Sequence, residues 1–169
     1  MKKIVLLSVF VSLFFNGYAQ FSMKNLLDNI DWQATESMFV YNQHEYIEPT
    51  KKEVWDNEGT ESNFRFKNAS IANYPIETSY IRVLQKNKKL YRINFIVLDD
   101  ETDMSHYTIV KNELIKLFGT PNSDVYDNTP SPIQYKNTTK WVMNNYKVEA
   151  QLIIFKEDYA YTIRVEPLK

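Results

Sequence analysis

The chain has 169 residues with a formal net charge of −1 at neutral pH, and it contains no cysteine. A charge so close to zero lacks the basic surface that nucleic acid or an anionic membrane needs, so we expect neither as a main partner. The absence of cysteine excludes disulfides and thiol nucleophiles. Packing alone must therefore stabilise the fold.

The first residues have the three-part pattern of a secretory signal peptide. Two lysines precede an apolar run, Ile4–Phe15, and the small residues Gly17 and Ala19 suit a peptidase cleavage site. The run is too short to span a bilayer comfortably, which favours cleavage over stable membrane insertion. We therefore predict a signal peptide, residues 1–19, and a single domain, residues 20–169, located in the periplasm or outside the cell.

The N-terminal half of this domain has an irregular pattern. Residues 23–46 predict one or two helices, and residues 48–62 form a polar stretch. Alternating phenylalanines predict a short strand at 63–67, and residues 79–97 predict a hairpin. The side chains expected to face the core from the helical region are Trp32, Met38, Phe39 and Tyr46.

The C-terminal half begins with an amphipathic helix. Its apolar residues recur at spacings of three and four, and they are Tyr107, Val110, Leu114, Leu117 and Phe118. Gly119 follows the last of them, where a left-handed residue ends a helix, and Pro121 forbids continuation. A long connection, residues 120–138, leads to three alternating segments that predict an antiparallel meander of three strands.

These elements predict an α+β fold. We expect an antiparallel sheet of about six strands with helices packed on one face, in which a helix plus a three-strand meander occurs twice. The run "LIKLFGTP", the strand "KWVMNNYKVEAQLII" and the final "YAYTIRV" resemble small exported bacterial proteins, in outline those of the β-lactamase-inhibitor-protein type. The chain is also rich in Tyr, Asn, Lys and Ile, a composition that resembles that of secreted Bacteroidetes proteins. The resemblance implies a binding or inhibitory module and carries over no catalytic residue.

Motifs for common chemistries are missing from the sequence. After residue 19 the only glycines are Gly59 and Gly119, too few for a phosphate-binding loop, and no nucleophile elbow occurs. We therefore predict no cofactor and no catalytic residue. His44 and Glu48 have the spacing of a partial metal site, but no further ligand cluster accompanies them, so no metal is predicted. The acidic run at 99–103 is either a weak calcium site or a solvated loop.

Four residues outside the predicted elements, three of them aromatic, are the candidate contact residues. Trp55 lies in the polar stretch, and Tyr126, Asp127 and Tyr135 lie in the long connection, where they either contact a partner or pin the loop to the sheet. The favoured hypothesis is a non-enzymatic binding module for a protein or a cell-envelope polymer. Two alternatives stay open: an inhibitor or immunity-type protein, and a small hydrolase that uses Asp or Glu.

Overall fold

The computed structural model describes most of the chain after the N-terminal segment. The described residues are 22–44, 47–54, 59–67, 69–76, 78–84, 87–99, 104–127, 133–155 and 158–168. The predicted signal peptide and its cleavage site lie outside these residues.

The helices of the described residues are α1 (Met23–Asp28), α2 (Glu36–Asn42) and α3 (Met104–Phe118). Side-chain caps start the two short ones: the Ser22 hydroxyl accepts from the Asn25 amide at 3.3 Å, and the Thr35 hydroxyl accepts from the Met38 amide at 3.4 Å. The prediction that Met38 faces the core is wrong, because its side chain is exposed, whereas Phe39 is buried. The sequence pattern left one or two helices open for this region, and the structure has two, α1 and α2.

Ten strands occur in the described ranges, each antiparallel to its neighbours. They are β1 (Ile47–Val54), β2 (Gly59–Phe66), β3 (Ser70–Ile71), β4 (Tyr74–Pro75), β5 (Thr78–Leu84), β6 (Leu90–Asp99), β7 (Ser123–Tyr126), β8 (Ile133–Val142), β9 (Tyr146–Phe155) and β10 (Asp158–Pro167). Within the described residues, β3 and β4 pair only with each other, and the other eight strands form one sheet.

The large sheet has the order β1-β2-β5-β6-β10-β9-β8-β7 in the described part of the chain. The N-terminal half supplies one four-strand meander and the C-terminal half supplies the other. They join where β6 pairs with β10, with Phe95 opposite Ile163. The α+β class and the antiparallel sheet are confirmed. The predicted number of strands is wrong: the sheet has eight strands instead of about six, and each half contributes four of them instead of three.

The two strands of the large sheet that the prediction missed are β1 and β7, which are its edges. Strand β1 lies in the segment expected to be a polar connection, and β7 lies in the connection at 120–138. An edge strand has one neighbour, so its side chains are exposed more often and apolar alternation weakens. Strand β1 also contains Pro49, a residue that edge strands tolerate.

The core lies on the sheet face that carries Phe95 and Ile163, both fully buried. Each helix contacts this face. The ring centroids of Phe118 in α3 and Trp141 in β8 are 5.8 Å apart. Those of Phe39 in α2 and Phe64 in β2 are 6.2 Å apart. Strand β9 contacts α1 through the Tyr146 hydroxyl, which donates a hydrogen bond to the Asp28 carboxylate at 2.7 Å. Buried residues from both halves of the sheet form one hydrophobic cluster.

The predicted helix stop is confirmed at Gly119. Helix α3 ends at Phe118, and Gly119 has a φ of +83°, a value that favours glycine. Its amide donates to the Ile115 carbonyl at 2.8 Å. Its carbonyl accepts from the indole N–H of Trp141, also at 2.8 Å. The corner therefore fixes the end of α3 to β8, and the chain leaves it toward β7.

Candidate functional site

Strand β7 lies at the end of the sheet, and among the described residues it pairs with β8 alone. Its register sets Ser123 opposite Lys140 and Val125 opposite Thr138. An edge strand presents backbone N–H and C=O groups that are not used inside its own sheet. The outer side of β7 therefore offers hydrogen-bonding groups in a fixed row.

A polar cluster holds β7 in place, and Asp124 is its centre. One carboxylate oxygen, Oδ1, accepts from the Asn137 side-chain amide and from the Thr139 hydroxyl, both at 3.0 Å. The other, Oδ2, accepts from the Lys111 ammonium group at 2.5 Å. Asn137 and Thr139 are buried, whereas the Asp124 side chain is 41% exposed. One side chain thus ties the edge strand to β8 and to α3.

Two tyrosines extend this cluster toward the core. The Tyr107 hydroxyl donates to the side-chain oxygen Oδ1 of Asn137, and its ring lies edge-on to the Tyr161 ring with the centroids 5.2 Å apart. The Tyr161 hydroxyl is buried, with no hydrogen-bond partner among the described residues. Burial raises the pKa of both phenols well above their usual range. Both tyrosines are therefore protonated at neutral pH.

The Asp124 carboxyl group is shifted in the opposite sense. Its partial burial raises the pKa, but the hydrogen bonds from Lys111, Asn137 and Thr139 outweigh burial and hold the pKa below its usual range. A general base works best with a pKa near the operating pH. The pKa of Asp124 is instead lowered, and its carboxylate already accepts three hydrogen bonds. The cluster is therefore suited to positioning β7 and not to removing a proton from a substrate.

The side chains displayed by β7 are Val125 and Tyr126, which are 58% and 57% exposed. Neighbouring residues of a strand point to opposite faces. Tyr126 shares the face of Asp124, beside α3, and Val125 lies on the other face. An apolar contact is thus available on both sides of the same edge.

The structure places the other predicted contact residues as follows. Asp127 directly follows β7 and is exposed. Tyr135 is a residue of β8, two positions from the Asn137 that pairs with Tyr126. Trp55 and most of the acidic run at 99–103 lie outside the described residues, so no calcium site is described. The prediction missed Val125, which no aromatic or charged signal marks.

A second surface feature lies at the opposite edge of the sheet, beside α2. It is a groove of about 640 Å³ between α2 and strands β1 and β2. Tyr41 and His44 lie at its helical side, with their ring centroids 6.0 Å apart. The Nδ1 atom of His44 contacts the Tyr41 carbonyl oxygen at 2.7 Å, and Glu48 forms an ion pair with Lys67 at 3.9 Å. Nothing in the sequence pattern indicated this groove.

Comparison with known protein families, with curated proteins and with solved structures finds no match to this chain. The likeness to β-lactamase-inhibitor-type proteins therefore stays a prediction. Across the described ranges, no helix is both long and apolar enough to cross a membrane. The same ranges contain no group of three or more His, Cys, Asp or Glu residues placed to hold a metal ion.

Proposed function

We propose that this chain is an exported, non-enzymatic binding module that holds an extended segment of a partner protein along the outer edge of β7. One observation carries the proposal. Within the described residues that edge has no neighbouring strand, and it carries two apolar side chains, Val125 and Tyr126, that are more than half exposed.

The geometry of β7 suits the addition of a strand. In this mode of recognition, backbone hydrogen bonds supply much of the affinity, and side chains that alternate between the two faces supply specificity. Val125 and Tyr126 point to opposite faces, so an added strand would meet one apolar contact on each. The Asp124 cluster holds the edge in one position, which lowers the entropy cost of binding.

An inhibitor or immunity-type role would use the same surface. It differs only in the partner, which would be an enzyme whose activity falls when β7 is occupied. Aromatic anchors such as Tyr126 are common at the centres of such interfaces.

The test is site-specific photo-cross-linking in the envelope fraction of the producing cell. A photoreactive residue replaces Val125 or Tyr126 in the full chain, and Val142 serves as the matched control, because its side chain is 57% exposed on the neighbouring strand β8. We expect one shared partner adduct from positions 125 and 126 and none from position 142.

The doubly substituted Val125→Ser, Tyr126→Ala variant then tests the energetics. Loss of two apolar contacts of about 1 kcal/mol each would weaken capture roughly 30-fold. Amide hydrogen exchange in β7 should slow when the partner binds, while exchange in β1 stays unchanged. Equal adducts from position 142, or undiminished capture by the double variant, would refute the proposal.

A further inference from the structure

The groove beside α2 has the size of a small-ligand site. Its volume of about 640 Å³ falls within the roughly 300–1,000 Å³ typical of such sites. It lies next to β1, whereas the proposed protein-binding edge is β7, at the other end of the eight-strand sheet. At about 4.8 Å per strand the two edges are roughly 30 Å apart. The two surfaces are therefore separate.

The lining of this groove combines apolar and polar groups. Val40, Pro49 and Phe64 give it an apolar floor. At the side of the floor, the Glu36 carboxylate accepts a hydrogen bond from the buried Ser62 hydroxyl at 2.8 Å. A purely apolar ligand would cover such groups without giving them hydrogen bonds, which is costly. A ligand with both C–H faces and hydroxyl groups meets both requirements.

The helical side of the groove carries an exposed aromatic ring. Tyr41 is 76% exposed and stands at the end of α2, next to the His44 ring. The bond between His44 Nδ1 and the Tyr41 carbonyl fixes this imidazole at the end of the helix. A flat ring held beside hydrogen-bonding side chains is a platform on which an apolar molecular face can stack.

Charge narrows the class of ligand further. The Glu36 carboxylate lines the groove, and its negative charge would repel an anionic ligand. The carboxylate of Glu36 is already hydrogen-bonded, which makes it a weak attractor for a cation. The lining is thus best matched by an uncharged ligand.

From these observations we infer that the groove binds a neutral oligosaccharide. One sugar ring stacks its C–H face on Tyr41, and its hydroxyl groups exchange hydrogen bonds with side chains such as Glu36 and His44. This inference is independent of the protein-binding role of β7, since neither surface contributes a residue to the other.

The experiment titrates the full chain with cellotetraose, chitotetraose, maltotetraose and mannotetraose, followed by calorimetry and by NMR of backbone amides. We expect at least one of them to bind with a dissociation constant on the order of 1 mM, as suits an open groove. The amide shifts should centre on α2 and β2. The Tyr41→Ala variant should weaken binding about tenfold, and Tyr41→Phe, which keeps the ring, should bind within about twofold of the parent chain.

Tyr126→Ala is the matched control, because it removes an exposed tyrosine from the other edge of the sheet. It should leave saccharide affinity unchanged, just as Tyr41→Ala should leave capture of the protein partner unchanged. Circular dichroism establishes that each variant is folded.

Three results would overturn the inference: no binding by any of the four saccharides at millimolar concentration, undiminished binding by Tyr41→Ala, or amide shifts centred away from α2. Tighter binding of tetragalacturonate or of octanol than of every neutral saccharide would also overturn it, in favour of an anionic or an apolar occupant. Because the protein-partner test uses other residues, either proposal can fail while the other stands.

Discussion

Replacing Asp124 by alanine tests whether one side chain holds the edge strand β7. The substitution removes the acceptor for Asn137, for Thr139 and for the Lys111 ammonium group. We expect the free energy of unfolding to fall by about 2 to 3 kcal/mol.

The magnitude follows from the burial of each partner. The Asn137 amide loses its acceptor in a buried position, which costs about 1–3 kcal/mol. Thr139 loses less, because its hydroxyl can still donate to the side-chain oxygen Oδ1 of Asn137 at 2.9 Å. The Lys111 pair is partly exposed on the Asp124 side, and such pairs contribute about 0.2–1 kcal/mol.

Urea unfolding followed by tryptophan fluorescence measures the loss, since Trp141 is buried and reports on β8. With a slope of about 2 kcal/mol per molar urea, the midpoint should fall by roughly 1 to 1.5 M. Lys111→Met is the control, because it removes only the ion pair and should cost about 0.5 kcal/mol. Amide exchange in β7 should accelerate more than exchange in β9.

The pH dependence checks the electrostatic part of this reasoning. The pKa of Asp124 is lower in the folded chain than in the unfolded one, so its charge stabilises the fold above the unfolded value of about 3.9. That contribution is lost as the pH falls through the folded pKa. The difference between the parent chain and Asp124→Asn should therefore be constant between about pH 5 and 7 and shrink below about pH 4. A loss under about 1 kcal/mol for Asp124→Ala, or a pH-independent difference for Asp124→Asn, would show that the cluster does not hold β7.

Three further substitutions test contacts elsewhere in the fold. Gly119→Ala should lower the free energy of unfolding in urea by about 1–2 kcal/mol, because a φ of +83° is strained for alanine. The added Cβ would meet no atom within 4 Å, so a much larger loss would indicate crowding that the structure does not show. Tyr146→Phe should lower the free energy of unfolding by about 1 kcal/mol at neutral pH and by less below about pH 4. The reason is that hydrogen bonds from the Lys24 ammonium group and the Tyr146 hydroxyl lower the pKa of Asp28 in the folded chain. A loss that does not change with pH would contradict this reasoning. Glu166→Gln should lower the free energy of unfolding by about 2 kcal/mol, because it leaves the nearly buried Arg92 guanidinium without its carboxylate partner. An unchanged melting temperature would contradict this expectation.

Most of the C-terminal half of the fold could be predicted, because three of its four strands, β8, β9 and β10, have a neighbour on both sides. β9 and β10 each have a neighbour on both sides and one face on the core, so residues such as Val148, Ile163 and Val165 alternate strictly with polar ones. The end of α3 was equally clear, since a backbone corner with positive φ demands glycine. In these regions local pattern and tertiary environment favour the same structure.

The edge strands could not be predicted for the opposite reason. In β7, the described residues Ser123 to Tyr126 are mostly exposed, so no burial pattern is imposed on them. Their position comes instead from Asp124, whose partners are 13 to 15 residues away on α3 and β8. A sequence pattern of period two or 3.6 cannot report a contact of this kind, because it depends on how two elements pack.

The two candidate surfaces also differ in how far the sequence pattern indicated them. Tyr126 stood out in the sequence because an aromatic residue outside a predicted element suggests a contact, although its strand went unseen. Tyr41 did not stand out, because it lies in a predicted helix, where an aromatic residue is expected to face the core. Its exposure follows from its position on α2, which ends at Asn42 and in which Phe39 is the buried residue. A helix of two turns has one buried stripe, so the aromatic residue two positions further along is turned outward, beside the groove.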